Sequence, residues 1–403
     1  MAPTIAKSAP AAPPRTRPKD RRQHIAMAAA LAFSERGYHQ VSLSDVADAV
    51  GISAPALYRH FPNKYALFVD AAQRLAHGLI EATDAVEVPE EPDTARERLD
   101  ALLNAIIAKT IENRRTGGLY RWEGRYLERP ERDRLRDEFA RLRASIRRPL
   151  EMLRPELDEA DADMLATAAL SVVASITTHR TTMAQKPMTE LLIASADRIL
   201  AADLPAPADA PFVAETGLTS SAKRETMIRE SISLFYHRGY HETSVEDISA
   251  AVGITASGFY RHFASKSEIL LEACVRAAER LSATAAGALA SAGSSGEALS
   301  RLVDSYVDYS FVHHELVSVY FSDVGALDKV DQTRLQAIQR DHVDEWVALL
   351  QDVRPDRSAS AARFLVHAGL TVVVDVGRTV RFDGAPETRA RVGTLVRASI
   401  GVE

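Results

Sequence analysis

The chain has 403 residues, room for two units of about 150 to 200 residues each, and its 46% apolar and 26% charged content is that of ordinary globular protein. A formal net charge of −6 excludes a bulk attraction to nucleic acid, so any grip on phosphate has to come from local charge. No apolar run approaches the roughly 18 residues of a membrane span, no apolar secretory segment opens the chain, and the one cysteine, Cys274, rules out an internal disulfide framework. A cytoplasmic protein is expected, with no membrane partner.

Residues 1–20, rich in Ala, Pro and bases, read as a disordered basic arm, and Arg15, Arg17 and Lys19 suit a minor-groove arm as well as plain disorder. Ile25, Ala28, Ala29, Ala32 and Phe33 recur at three- and four-residue spacing, which predicts a helix over 21–36 stopped by Gly37. Ser42, with Asp45 three places on, caps a short helix ending near Gly51. Ser53 caps a third helix over 54–60, with Leu57 and Phe61 turned toward Phe33, Val46 and Val50, and Ala54, Pro55, Tyr58 and Arg59 facing out. Pro55 is tolerated because the first helical turn has no internal partner for a backbone N–H. Asn63 caps a long fourth helix reaching about Val86, and amphipathic helices follow over 94–113, 118–128, 131–153, 159–183 and 188–202.

A stretch with Pro205, Pro207, Pro211 and Gly217, residues 204–222, has linker composition. The pattern then begins again: Arg22 to Lys64 recurs as Arg224 to Lys266, without a gap, at an offset of 202. Ser244 to Asp247 repeats the cap, and Ser265-Lys266-Ser267-Glu268 is a full capping box. Helices are expected over 296–313, 315–327, 331–353, 358–381 and 386–400. Here Arg354-Pro355 and Val372-Val373 echo Arg154-Pro155 and Val172-Val173 at an offset of 200. No strand is predicted. The chain therefore reads as all-α, with a head at 21–68, a body at 69–203, the linker, a second head at 223–270 and a second body at 271–403. Residues 1–64 hold nine Lys or Arg against four acids, and 223–266 hold six against five, so the first head should contribute more of any salt-dependent affinity.

The Gly51-Ile52-Ser53, Tyr58-Arg59-His60-Phe61 and Asn63-Lys64 segments, and their copies from Gly253 to Lys266, resemble the helix-turn-helix of the tetracycline-repressor (TetR) family of transcriptional regulators. The resemblance implies two tandem units, each a DNA-binding head and a helical ligand-binding body. Such a chain resembles the tandem-TetR repressors of actinobacteria, among them a mycobacterial repressor of a mammalian-cell-entry, lipid-uptake operon. The run from Trp122 to Leu127 is similar to an Arg-Glu-Ala-Arg-Tyr-Leu segment of that group, with Trp122 and Gly124 departing from it.

By motif position, the resemblance gives phosphate contacts to Ser42, Tyr58, His60 and Lys64, and to Ser244, Tyr260, His262 and Lys266. Base reading falls to Ala54, Pro55, Ala56 and Arg59 behind the cap Ser53, and to Ala256, Ser257, Gly258 and Arg261 behind the cap Thr255. Few of these are long polar readers, so thymine methyl contacts and DNA shape would carry much of the specificity. Glu246 is a departure, an acid where a neutral or basic residue would suit phosphate better. The implied partners are double-stranded operator DNA and a small-molecule effector, lipid-like by the same resemblance. The two bodies are expected to pack through about 161–202 and 361–400, an intramolecular pseudo-dimer in a monomeric chain, reading an asymmetric operator as a repressor.

Trp122, Glu123, Tyr126, Tyr306, Tyr309, Tyr320 and Phe321 are candidates for lining a ligand cavity, and each reads equally as ordinary core or solvated helix face. Glu123 stands between Arg121 and Arg125, and fits a solvated face or an ion pair at a cavity mouth. His313-His314-Glu315 and Asp341-His342 with Glu345 lack the spacing of a metal site, and neither metal nor cofactor is expected. No nucleophile elbow, phosphate loop or dinucleotide fingerprint is present, which argues against an enzyme. The alternative function is a ligand- or partner-binding module whose second helix-turn-helix no longer touches DNA.

Overall fold

The computed structural model describes residues 18–119, 123–207 and 222–402, without the side chains of 18–20, 123 and 125. The arm before Pro18, the linker stretch 208–221 and Trp122 lie outside the described residues, as does the side chain of Glu123. The chain divides into two units, residues 1–71 and 72–403.

The first unit is the first head: α1 (Pro18–Arg36), α2 (Leu43–Val50), α3 (Ala54–Tyr58) and the start of α4 (Lys64–Asp84). Helix α1 begins three residues before the expected position, on Pro18, whose fixed φ suits a first helical residue. Ile25, Ala29, Phe33, Val46, Leu57, Phe61 and Phe68 are buried together, and the ring of Phe33 meets that of Phe68 edge-on at 5.5 Å. Helix α3 stops at Tyr58 instead of His60, because the N–H groups of His60 and Phe61 both turn back to the Leu57 carbonyl.

The second unit holds the rest of α4, then α5 (Ala95–Glu112), α6 (Arg129–Leu153), α7 (Glu159–Ala174) and α8 (Gln185–Leu200) as the first body. The second head follows as α9 (Lys223–Arg238), α10 (Val245–Val252) and α11 (Ala256–Phe259). The second body is α12 (Lys266–Ser291), α13 (Ser295–Val312), α14 (His314–Asp323), α15 (Lys329–Val353), α16 (Ala359–Thr379) and α17 (Pro386–Ile400). No strand occurs among the described residues. One expectation needs correction: the helix expected to reach 183 ends at Ala174 with a 3₁₀ turn, Ser175–Thr177. That expected over 118–128 lies partly outside the described residues, which include a helical Leu119 and a 3₁₀ turn at Glu123–Tyr126.

One hydrophobic core runs from Leu79 to Ile400 through both bodies. Within it α7 and α8 pack on α16 and α17. Ser195 Oγ donates to the Ser399 carbonyl at 2.6 Å, and Arg198 donates to the carbonyls of Ala398 at 2.8 Å and Ser399 at 2.9 Å. Buried Arg391 pairs with Asp161 and donates to the Pro205 carbonyl at 3.0 Å. Glu159–Thr177 and Ala359–Thr379 are long and apolar enough by composition to cross a membrane, yet most of each is buried inside this core.

At the same contact the His179 and His367 rings stack at 4.2 Å, nearly parallel, with Phe364 edge-on to His179. Burial is the main cause that holds both imidazoles neutral, with pKa values down to about 2 for His179 and about 4 for His367. An unfolded histidine takes up its proton near pH 6.5. As pH falls from there toward 4, the unfolded chain gains protons that the folded chain refuses, so stability should be lost in that window. Differential scanning calorimetry between pH 7.5 and 4.5 should show a falling Tm, with a flatter slope in His367→Phe; equal slopes would refute the assignment.

Candidate nucleic-acid interface

In each head, a serine cap and a left-handed glycine set the angle between the two short helices. The Ser42 N–H donates to Asp45 Oδ2 at 2.8 Å while the Asp45 N–H donates to Ser42 Oγ at 3.1 Å; Ser244 and Asp247 repeat the exchange at 2.9 and 3.0 Å. Both carboxylates sit below the usual Asp range. For Asp45 the first cause is the Ser42 backbone N–H, and for Asp247 the Ser244 hydroxyl. Gly51 and Gly253 follow at φ of +69° and +68°, with nothing within 4 Å of where a Cβ would stand. Gly253→Ala should therefore cost roughly 1–2 kcal/mol from backbone strain alone. A urea melt followed on the second head would detect it, and an unchanged midpoint would contradict it.

Ser53 Oγ accepts the Ala56 N–H at 3.4 Å, and Thr255 Oγ1 accepts the Gly258 N–H at 3.1 Å, so both residues serve as caps. The short third helices and the residues that follow them present Pro55, Tyr58 and Arg59, and Ser257, Tyr260 and Arg261, to solvent, with the tyrosines 53% and 59% exposed. Ala54, Ala56 and His60, like Ala256, Gly258 and His262, are half-buried, and Ser42, Ser244 and Glu246 are exposed. Neither Arg59 nor Arg261 has an ion pair among the described residues, whereas Arg36 and Arg238 pair with the cap carboxylates at 3.6 and 3.2 Å.

Lys64 and Lys266 each lie over an aromatic ring and bond backbone carbonyls. The Lys64 ammonium lies 4.5 Å from the centre of the Tyr38 ring and donates to the His39 carbonyl at 3.2 Å. That of Lys266 lies 4.4 Å from the Tyr240 ring and donates to the carbonyls of Tyr240 at 2.6 Å and Thr243 at 2.8 Å. Each lysine pins the turn before the helix-turn-helix to the start of the long helix. The arginines that open the repeat are a second tie that the sequence reading left without a role. The Arg22 guanidinium stands 4.4 Å from the Phe61 ring centre, donates to the His60 carbonyl at 2.9 Å and pairs with Asp70 at 2.9 Å. Arg224 does the same over Phe263, with the His262 carbonyl and Glu272. The signal in the sequence was Asp70 and Glu272 at the same offset of 202.

Two cavities among the described residues of the second unit bear on ligand binding. One of about 100 Å³ in the second body is lined by Tyr306, Tyr309, Tyr320, Phe321 and His342. Burial raises the Tyr306 and Tyr309 hydroxyls to about 12 and lowers His342 to about 4, and both nitrogens of the His342 ring are buried without a protein partner. The other, about 590 Å³, lies against α5, α6 and α7 and also meets α9, α14 and α16; sequence reasoning missed it, because its basic residues look like a solvated stripe on α6. Tyr126 does not line either cavity, and its ring edge lies 3.8 Å from where a Cβ on Gly239 would stand. Among the described residues no three metal-ligating side chains converge.

With this geometry in place, comparison with known proteins bears on the heads. Residues 25–71 and 228–273 each match the family described as "Bacterial regulatory proteins, tetR family". Each head is thus similar to the N-terminal domain of that family, once in each copy of the repeat. The HTH-type transcriptional activator FasR of Mycolicibacterium smegmatis is 39% identical over 64 residues, which is 16% of this chain and 29% of that protein. The HTH-type transcriptional regulator TcmR of Streptomyces glaucescens is 48% identical over 48 residues, 12% of this chain and 21% of its own. The chain thus matches less than a third of the length of either relative. A crystal structure of a TetR-family transcriptional regulator from Bordetella parapertussis aligns at 22% identity and a TM-score of 0.40, over 45% of this chain and 95% of that one. The match occurs twice in one chain whose described residues contain helices and no strand.

Proposed function

We propose that this chain is a sequence-specific transcriptional regulator in which two unlike tetR heads hold the two unequal halves of one asymmetric operator, and that it is a repressor released by a small lipid-like effector in the cytoplasm. The observation that carries the reading is the twice-built face of Tyr-Arg-His, with Arg59 and Arg261 exposed while the other basic residues of the motif are tied into the fold. Exposed Tyr and half-buried His side chains offer hydrogen bonds to phosphate oxygens, and an unpaired Arg at a short reading helix reaches either phosphate or a guanine edge. The bodies serve as an intramolecular pseudo-dimer that keeps the two heads in one monomeric chain, in place of the second chain that an isologous dimer would need.

Footprinting on DNA upstream of the gene, at two salt concentrations, tests this. Two unequal protected halves are expected. Arg59→Ala and Arg261→Ala should each weaken protection of one half and make the dependence of affinity on salt shallower. The exposed Glu246 and the near-neutral second head favour one alternative, a second head turned to protein contacts. Operator affinity unchanged in Arg261→Ala would establish that alternative and refute the two-reader reading.

A further inference from the structure

We propose that the larger cavity binds an amphiphilic anion and that its occupancy controls the second head, although most of its wall belongs to the first body. The proposal rests on the regulator reading above, and deepens it by naming the class of effector and the head it acts on.

The chemistry follows from the wall. At about 590 Å³ the cavity falls within the roughly 300–1,000 Å³ of small-molecule sites. Leu79, Ile106, Leu135, Phe139, Leu170 and Val173 make it mainly apolar, while Arg132, Arg136 and Arg143 of α6 and Arg378 of α16 bring positive charge to it. Asp375 also lines it, Arg136 pairs with Asp133, and Arg143 lies 3.3 Å from Asp163. In the lining itself four arginines stand against one carboxylate. An apolar tail with a carboxylate or similar head group meets both parts of such a wall, since guanidinium groups bind carboxylates through paired hydrogen bonds.

The charge belongs to one repeat. Helices α6 and α15 correspond at an offset of 200, where Arg132, Arg136 and Arg143 become Gln332, Gln336 and Val343. The second body's own cavity is small and neutral, with Gln339 and His342 as its polar groups from α15. The duplicated scaffold has been given two different linings.

The route to the second head is direct. Tyr236 of α9 lines the larger cavity, at a position where the first head has Ser34. Helix α14 contributes Ser318, Val319 and Ser322 to this cavity, and Leu316, Val317, Tyr320 and Phe321 to the smaller one. At about 100° per residue the two sets face opposite sides of the helix. Helix α14 therefore stands between two cavities, and α9 is fastened to it. Ser233 Oγ bonds Glu315 at 3.3 Å, His237 lies 3.3 Å from the same carboxylate, and Val319 belongs to the hydrophobic core of the second head. A ligand that fits better with α14 displaced shifts the population toward heads set wrongly for DNA.

Calorimetric titration of the full chain with decanoate, and with decan-1-ol as its neutral analogue, tests the site. Decanoate should bind at least tenfold more tightly than the alcohol. Arg136→Gln combined with Arg143→Gln should remove at least that tenfold, while Gln336→Ala, the matching position in the second body, should leave affinity unchanged. If the double variant does not fold, Arg136→Gln alone, on a side chain 69% exposed, should weaken binding at least threefold. No decanoate binding, equal binding of the alcohol, or full affinity in the arginine variants would overturn the proposal. In the footprint, decanoate should release the half that Arg261→Ala loses and spare the half that Arg59→Ala loses; release of the Arg59 half alone, or of both together, would overturn the cross-control. Should neither half be protected even without decanoate, the regulator reading fails, while the titration still decides the anion site.

Discussion

Phe263→Ala should unfold the second head and leave the bodies standing. Phe263 is 1% exposed, its ring lies beneath the Arg224 guanidinium at 4.0 Å, and Phe259 packs on it at 6.3 Å between ring centres. Removing a buried phenylalanine typically costs about 3–5 kcal/mol. Whole domains are stable by only about 5–15 kcal/mol, so a helix-turn-helix with a small core has little left. Loss of the ring also strips Arg224 of its platform, and with it the tie that fixes the end of the reading helix to α9. Calorimetry should show an early transition in the variant with the main transition in place, and footprinting should show one half of the operator lost. A single transition at the wild-type temperature would show that the head does not depend on this ring. Phe61→Ala should do the same to the first head.

Arg391→Met should be nearly as damaging, for an electrostatic reason. Arg391 is 4% exposed and joins Asp161 across the contact between the bodies, while also holding the Pro205 carbonyl. Breaking such a pair from one side leaves a carboxylate without its counter-charge in a poorly solvated place, at a cost of about 3–5 kcal/mol. Replacing both partners by apolar residues removes the cost along with the attraction. The double variant Arg391→Met, Asp161→Leu should therefore recover most of the loss in a urea melt. A double variant as unstable as the single one would mean that packing around Arg391, and not its charge, holds the bodies together.

The heads were legible because their determinants are local. Caps at Ser42, Ser53, Ser244 and Thr255 and left-handed glycines at 51 and 253 are written at fixed spacing, and the second copy repeats them. What each repeated cation touches is not written there. Lys64 and Lys266 stand at the end of a DNA-binding motif, yet a carbonyl 25 or more residues earlier in the chain takes each ammonium. The body helices were visible as apolar periodicity, and their ends were not. Helix α7 stops at Ala174 where Ser175, Thr177 and Thr178 turn their hydroxyls onto carbonyls three residues back, tightening the chain into a 3₁₀ turn. The matching stretch of α16 has Asp375, Gly377 and Arg378 and continues to Thr379. Cavities depend on which faces meet after folding. In sequence the arginines of α6 are only the polar side of an amphipathic helix, and the fold places α9, α14 and α16 around the same cavity.

The single core through both bodies has a consequence for how occupancy responds to protein level. A regulator assembled from separate chains must first find its partner, so at low copy number the assembly is diluted away before the DNA is. On the function proposed above, the partner is always present, tethered by the same polypeptide at an effective concentration that no change in expression alters. Titration of the operator should follow a simple hyperbola down to the lowest working concentrations. The two sides are also released from identity: a substitution at Arg136 changes one lining only, whereas in a pair of identical chains it would appear twice. Genetic drift and selection can tune one side of this protein without disturbing the other.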